Sequence, residues 1–143
     1  MAEELEESKS SETNPNRTSR IRTFKDLLVW QKAMRLSVEV YRLTRDYPDH
    51  ERYGLTAETR KTSRSVPYNI AEGHKRKSTA DYMRFLSIAA GSAAELETQL
   101  LLADQLGYLK EGAGEVVLAL HAEVERMLEA LIRSLRARTG NQL

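Results

Sequence analysis

At 143 residues, with 41% hydrophobic and 30% charged side chains, the chain has the length and composition of one soluble domain with a core of its own. The absence of cysteine excludes a disulfide framework, a thiolate metal site and a thiol nucleophile. No apolar run approaches the roughly 18 residues that predict a membrane span. The net charge of +1 conceals segregation, because residues 1–13 sum to −4, residues 55–77 to +4 and residues 78–107 to −3.

The first 22 residues are predicted to be a disordered tail. After Met1, Leu5 and Ile21 are their only large apolar residues, so the segment cannot bury enough surface to offset the entropy of ordering. The acidic start also lacks the apolar stretch of a secretory signal. We therefore expect a cytoplasmic protein.

The first predicted helix begins near Phe24 and ends at Tyr47-Pro48, because the residue before a proline disfavours the helical region. It carries two adjacent apolar stripes, which is a wider apolar arc than one bundle contact needs. We expect its own bundle to cover one stripe and a second copy of the chain to cover the other. The stripes are Leu27, Trp30, Met34, Val38 and Tyr41, and beside them Val29, Ala33, Leu36, Val40, Leu43 and Tyr47.

The second predicted helix, residues 55–73, contains a proline. Pro67 lacks the backbone donor that would bond the carbonyl of Ser63, so we expect a kink that does not end the helix. Asn69 is predicted to donate its side-chain amide to that carbonyl, and Glu72, three residues on, to satisfy another group near the kink. The alternative for these two side chains is a ligand-binding or catalytic pair.

Local signals mark the next boundaries. Gly73 occupies the position where a left-handed C-terminal cap is expected. Ser78 and Asp81 resemble a capping box at the start of a third helix. That helix is expected to run to Leu106, with Gly107 as its cap.

A fourth predicted helix starts near Gly114, and residues 139–143 are predicted to be a C-terminal tail. Four amphipathic helices with short connections and no strand pattern predict an all-α fold. The expected architecture is an antiparallel up-down four-helix bundle over residues 23–138.

The sequence lacks the common catalytic and metal-binding motifs. None of the three histidines, His50, His74 and His121, follows a Glu at three residues, and neither a His-Glu-x-x-His pair nor a phosphate-binding glycine loop is present. We therefore expect no enzyme activity, no metal and no cofactor. The less favoured alternative is a small-molecule enzyme that uses Glu72.

Six basic residues on the second helix and its exit form the candidate binding site. Lys and Arg side chains neutralise phosphates and supply most of the sequence-independent affinity of proteins for nucleic acids. The alternative is a solvated helix face. The predicted contacts are Arg60, Lys61, Arg64, Lys75, Arg76 and Lys77.

The segment from Ser65 to Gly73 contains Asn-Ile-Ala-Glu-Gly, and it resembles a signature of small four-helix-bundle proteins encoded in intervening sequences of bacterial 23S ribosomal RNA genes. The resemblance extends over about residues 24–109. It includes Glu-Arg-Tyr-Gly-Leu at residues 51–55 and Leu-Gly-Tyr-Leu at residues 106–109. Tyr68 departs from it, because a small residue is more usual there.

That family is similar in turn to the accessory variability proteins of diversity-generating retroelements, which are non-catalytic partners of a reverse transcriptase. The resemblance implies a homopentameric barrel of bundles whose positively charged surface is a candidate for nucleic-acid binding. A reverse transcriptase is then a candidate partner. The alternative is a structural or protein-interaction module whose role is self-assembly, with no nucleic-acid partner.

Overall fold

The computed structural model describes residues 20–141, and in that range it contains four long α-helices and no strand. The helices are α1 (Leu28–Thr44), α2 (Leu55–His74), α3 (Thr79–Gln105) and α4 (Ala113–Asn141). Short 3₁₀ turns at Phe24–Asp26 and Asp49–Glu51 precede α1 and α2. The all-α, four-helix prediction is confirmed.

Both predicted tails lie partly outside the described residues. Of the predicted N-terminal tail, only residues 20–22 are described, and they are exposed. At the other end, α4 continues to Asn141, three residues into the segment that the sequence assigned to a C-terminal tail.

Each helix packs against two neighbours, α1 and α3 each lying between α2 and α4. Two ion pairs show that α1 and α4 run antiparallel. Lys110, just before α4, places its Nζ 3.4 Å from Asp46 Oδ2 at the end of α1, and Lys32 Nζ is 3.1 Å from Glu123 Oε1 further along.

All four helices contribute to one core, in which Leu36, Ile70, Leu96 and Leu128 are fully buried. Each such side chain contributes about 1.5–3 kcal/mol relative to an exposed one. Of the second α1 stripe, Val29, Ala33, Leu36 and Val40 lie in this core, Leu43 is partly buried, and Tyr47 belongs to a smaller cluster. The first stripe remains partly on the surface, where Val38 is 46% exposed.

Pro67 lies inside a continuous α2, but the carbonyl that it leaves without a helical donor is bonded from another helix. The Ser37 hydroxyl of α1 donates to the Ser63 carbonyl at 2.8 Å, and both residues are buried. The prediction that Asn69 bonds Ser63 is therefore wrong. Six residues correspond to about 600° of helical rotation, so the two residues lie on different faces of α2.

The Asn69 side chain instead bonds one turn back on its own face. Its Nδ2 donates to the Ser65 carbonyl at 2.7 Å and to the Ser65 hydroxyl at 3.0 Å. Glu72 is exposed and pairs with Arg76 at 2.9 Å, so its predicted role beside the proline is also wrong. The Ser65 hydroxyl lies 2.8 Å from the Ser92 hydroxyl, which links α2 to α3.

Gly73 does not adopt the predicted left-handed cap, since Gly107 and Gly112 are the only described residues with a positive φ. It is required by close packing, because a Cβ there would lie 2.8 Å from the Phe85 Cβ and 3.3 Å from the Tyr82 carbonyl of α3. The prediction for Gly107 is confirmed. Its φ of 79° permits the paired N–H bonds of a Schellman motif at the end of α3.

Candidate functional site

The structure distributes the six predicted basic residues over three surfaces. Arg60 and Arg64 are half-buried and face α1. The Arg60 Nε donates to Thr44 Oγ1 at 2.8 Å, and its guanidinium lies 4.7 Å from the centroid of the Tyr41 ring. Arg64 donates to the Tyr41 hydroxyl at 2.7 Å. These contacts hold α1 against α2 and fix both guanidinium groups in place.

Lys61 lies on the opposite flank of α2, in a polar groove against α3. Glu58 and Glu95 line the same groove, so this cation is surrounded by acidic rather than basic neighbours. Gln99 crosses the groove floor by donating to Thr62 Oγ1 at 2.9 Å. The groove is therefore not part of a continuous basic surface.

Lys75, Arg76 and Lys77 form the turn between α2 and α3, and all three are exposed. The Arg76 guanidinium pairs with Glu72 and lies 4.6 Å from the centroid of the Phe85 ring, where Arg84 lies at the same distance. Neither Lys75 nor Lys77 has a carboxylate partner within 4 Å in the described part of the chain.

The end of α4 lies level with this turn. The His121 Nε2 of α4 is 2.6 Å from the Ala93 carbonyl of α3, which fixes the register of the two helices. Arg136 is fifteen residues beyond His121, and Ser78 is fifteen residues before Ala93. Both therefore lie about 22 Å from that hydrogen bond, at the same end of the bundle.

The chain before α1 reaches the same end, because the turn Phe24–Asp26 packs against both α1 and α2. We call this region, residues 20–27, 72–84 and 130–141, the basic end. It carries ten Lys and Arg residues against three carboxylates, and all ten are exposed. They are Arg20, Arg22, Lys25, Lys75, Arg76, Lys77, Arg84, Arg133, Arg136 and Arg138.

The three carboxylates of the basic end are already engaged. Asp26 accepts from the backbone N–H groups of Thr23 and Arg22, and these bonds lower the pKa of its carboxyl. Glu72 pairs with Arg76, and Asp81 lies 3.5 Å from Arg84. The opposite end of the bundle, formed by residues 42–58 and 104–115, carries seven carboxylates and four Lys or Arg residues. Charge is therefore segregated along the bundle axis.

The sequence analysis missed the contribution of α4 to this surface. Arg133, Arg136 and Arg138 are expected on a helix C-terminus simply because cations favour that end of the helix dipole. The signal that would have found the surface is the antiparallel topology, which brings the end of the fourth helix beside the turn between the second and third.

A second surface lies between α1 and α2, and we call it the arginine groove. It encloses about 340 Å³. Its floor is formed by Met34, Val38, Pro67 and Tyr68, and its rim by Arg42, Arg45 and Arg64.

Within residues 20–141, no cluster of three or more His, Asp or Glu side chains is placed to hold a metal ion. No helix in that range combines the length and the apolar character needed to cross a membrane.

Comparison with known proteins relates the chain to one family. Residues 25–130 match the family model described as 23S rRNA-intervening sequence protein. The fold is similar to the crystal structure of a protein of unknown function from the S23 ribosomal protein family of Bacteroides thetaiotaomicron, with a TM-score of 0.69. The two chains are 22% identical over 74% of this chain and 96% of the other, a level that shows the fold alone. A comparison with curated proteins finds no match.

Proposed function

We propose that this chain, which belongs to the 23S rRNA-intervening sequence protein family, is a non-catalytic cytoplasmic protein. It binds nucleic acid through the basic end. The supporting observation is the convergence of ten exposed cations from three separate segments. Eight of them form no ion pair within residues 20–141. Unpaired, exposed cations are what phosphate neutralisation requires.

The expected mode of binding is contact with phosphates and little preference for sequence. The cations lie at helix ends and turns, and the described part of the chain contains no recognition helix or RNA-binding motif that would present side chains to base edges. Each contact is expected to add about 0.7–0.9 to the slope of log affinity against log salt.

We also propose that the protein is a homo-oligomer, with a pentamer as the arrangement that the family resemblance implies. The exposed face of α3 supports assembly, because Ile88, Leu101 and Leu102 are exposed there. Gly91 lies between them, and a Cβ added to it would contact nothing within 4 Å, so another helix can approach closely. A ring of copies would repeat the basic end and raise the avidity for a long nucleic acid. A reverse transcriptase is the candidate protein partner.

Two variants that each remove three charges test the placement. One carries Lys75→Gln, Arg76→Gln and Lys77→Gln. The control carries Arg60→Gln, Lys61→Gln and Arg64→Gln, and circular dichroism checks that it keeps its helices without the Arg60 and Arg64 contacts to α1. Affinity for mixed-sequence single-stranded RNA and duplex DNA is measured by fluorescence anisotropy over a salt series. We expect the first variant to lower the salt slope by about 2–3 units and the control by less than about one.

Equal losses of affinity in the two variants would contradict the assignment to the basic end. They would indicate that basic residues along the whole of α2 contact the nucleic acid. Binding that ignores salt, or that survives neutralisation of the turn, would refute phosphate binding at this end. Light scattering on the same samples tests assembly, since a wild-type monomer at tens of micromolar contradicts the oligomer. An intact oligomer without nucleic-acid affinity would favour the protein-interaction module, for which the exposed α3 face is the supporting observation.

A further inference from the structure

The floor of the arginine groove is an apolar surface that the bundle itself does not cover. Met34 is 41% exposed, Val38 46% and Tyr68 62%, and the three side chains line one groove with Pro67. Adjacent exposed side chains of this size are uncommon on a surface without a binding role. We therefore expect whatever binds in the groove to contribute at least one apolar side chain.

The rim of the groove selects for negative charge. Arg45 and Arg64 have no carboxylate within 4 Å in the described range, and Arg42 is paired only with Glu39, on its own helix, at 2.7 Å. Arg64 is held by the Tyr41 hydroxyl, so its guanidinium is already ordered before any ligand arrives. A guanidinium that is ordered and has no carboxylate partner binds carboxylates strongly, and Arg64 is the rim residue that meets both conditions.

We propose that the acidic segment of this same chain, residues 1–13, binds in the arginine groove. The segment carries five glutamates and one lysine, for a net charge of −4. Leu5 lies among four of those glutamates, at positions 3, 4, 6 and 7. The segment thus supplies an apolar side chain for the floor and carboxylates for the rim.

The chain enters α1 at the beginning of the same stripe that lines the groove. The Phe24 ring packs edge-on against Trp30 at a centroid distance of 5.2 Å, and Met34 and Val38 follow at successive turns. The groove extends over α1 from Met34 to Arg45, a rise of about 17 Å. Residues 14–22 span up to about 30 Å when extended, so they can place the acidic segment anywhere along the groove. Such a tether gives an effective concentration of roughly millimolar, at which even weak contacts are populated.

Cross-linking in the full chain tests the proposal. Because the chain has no cysteine of its own, the reagent reacts only with the introduced cysteines. Ser8→Cys is combined with Val38→Cys and treated with a short bismaleimide, and intact mass and peptide mapping quantify the product. The matched control pairs Ser8→Cys with Ala119→Cys. Ala119 is exposed on α4 and lies outside the groove. The Lys32–Glu123 pair places it level with residue 36 of α1 along the bundle axis. We expect an intrachain product with Val38→Cys about tenfold above the control.

Charge reversal separates docking from chance collision. Arg42→Glu with Arg45→Glu is expected to reduce the Val38→Cys product to the control level, because both rim residues are exposed and their exchange leaves the core intact. The matched reversal, Arg52→Glu with Arg126→Glu, exchanges two exposed cations outside both the groove and the basic end, and it should leave the product unchanged. Equal yields from the two cysteine pairs, or a product that survives the rim reversal, would overturn the proposal. Products that join two chains only would assign the groove to a neighbouring copy and would overturn it as well.

Discussion

Replacing Ser37 by alanine tests how the bundle accommodates Pro67. The Ser37 hydroxyl is the donor to the Ser63 carbonyl, at 2.8 Å, and residue 67 has no N–H to take its place. Ser63 is fully buried, so water cannot replace the lost bond. A buried acceptor left without a partner costs about 1–3 kcal/mol, and we expect Ser37→Ala to lower the free energy of unfolding by that amount.

A double-mutant cycle with Pro67→Ala makes the prediction specific. Alanine at position 67 supplies the helical N–H that bonds the Ser63 carbonyl in an ordinary helix. In that background the carbonyl keeps a donor when Ser37 is removed, so Ser37→Ala should cost less than it does in the wild type. We expect a coupling free energy of about 1 kcal/mol or more between the two positions.

Ser63→Ala is the matched control. It also removes a buried serine hydroxyl, but that hydroxyl bonds the Arg60 carbonyl at 2.7 Å, which retains its helical donor from residue 64. Chemical denaturation measures the free energies, provided that the denaturant dependence is unchanged. The midpoint of thermal unfolding should fall by about 4 °C per kcal/mol. A cost of Ser37→Ala that is equal in both backgrounds, or no larger than that of Ser63→Ala, would refute this account of the proline.

Two further predictions concern the packing of α2 and its N-terminus. Gly73→Ala should destabilise by about 1–3 kcal/mol in denaturant titrations despite the better helix propensity of alanine, because its Cβ would meet the Phe85 Cβ at 2.8 Å. A neutral Gly73→Ala would contradict the close contact with α3. The N–H of Leu55 and the Tyr108 hydroxyl lower the pKa of Glu51, so its carboxylate stabilises the fold above its usual pKa of 4.5, and this contribution is lost as the pH falls. The stability gap between wild type and Glu51→Gln should therefore shrink as the pH falls below 4.5, and a constant gap would contradict this account.

Local signals in the sequence located the four helices, although the first one runs from Leu28 to Thr44 and not from Phe24 to Tyr47. A proline after Tyr47, a serine hydroxyl at residue 78 and a glycine at residue 107 each act within a few residues of the boundary that they set. The Ser78 cap and the Gly107 turn are accordingly found where they were expected. The apolar periodicity likewise identified the stripe of α1 that is buried in the bundle.

The errors concern contacts between helices. Ser37 interrupts the buried side of α1 with a hydroxyl, yet nothing in its neighbourhood indicates that its acceptor lies 26 residues away on α2. Gly73 has the local pattern of a cap, and only the path of α3 past it shows that the missing Cβ matters. In both cases a residue is small because of a partner distant in sequence.

The candidate site could be predicted only in part, for the same reason. The turn at residues 75–77 was expected to be exposed and basic, and it is. Arg60 and Arg64 belong to the same charge run in the sequence, but α2 directs them against Tyr41 of α1. Arg133 and Arg136 are more than fifty residues from the turn, and the antiparallel topology brings them to the same end.

The five-residue signature that marks the family has a structural role in this bundle. Asn69 bonds the Ser65 carbonyl on its own helix, and Ile70 is fully buried in the core. Glu72 pairs with Arg76, while Gly73 allows α3 to pass at contact distance. None of these contacts requires a ligand, and together they fix how α2 leaves the core. The signature therefore sets the direction in which the basic turn projects.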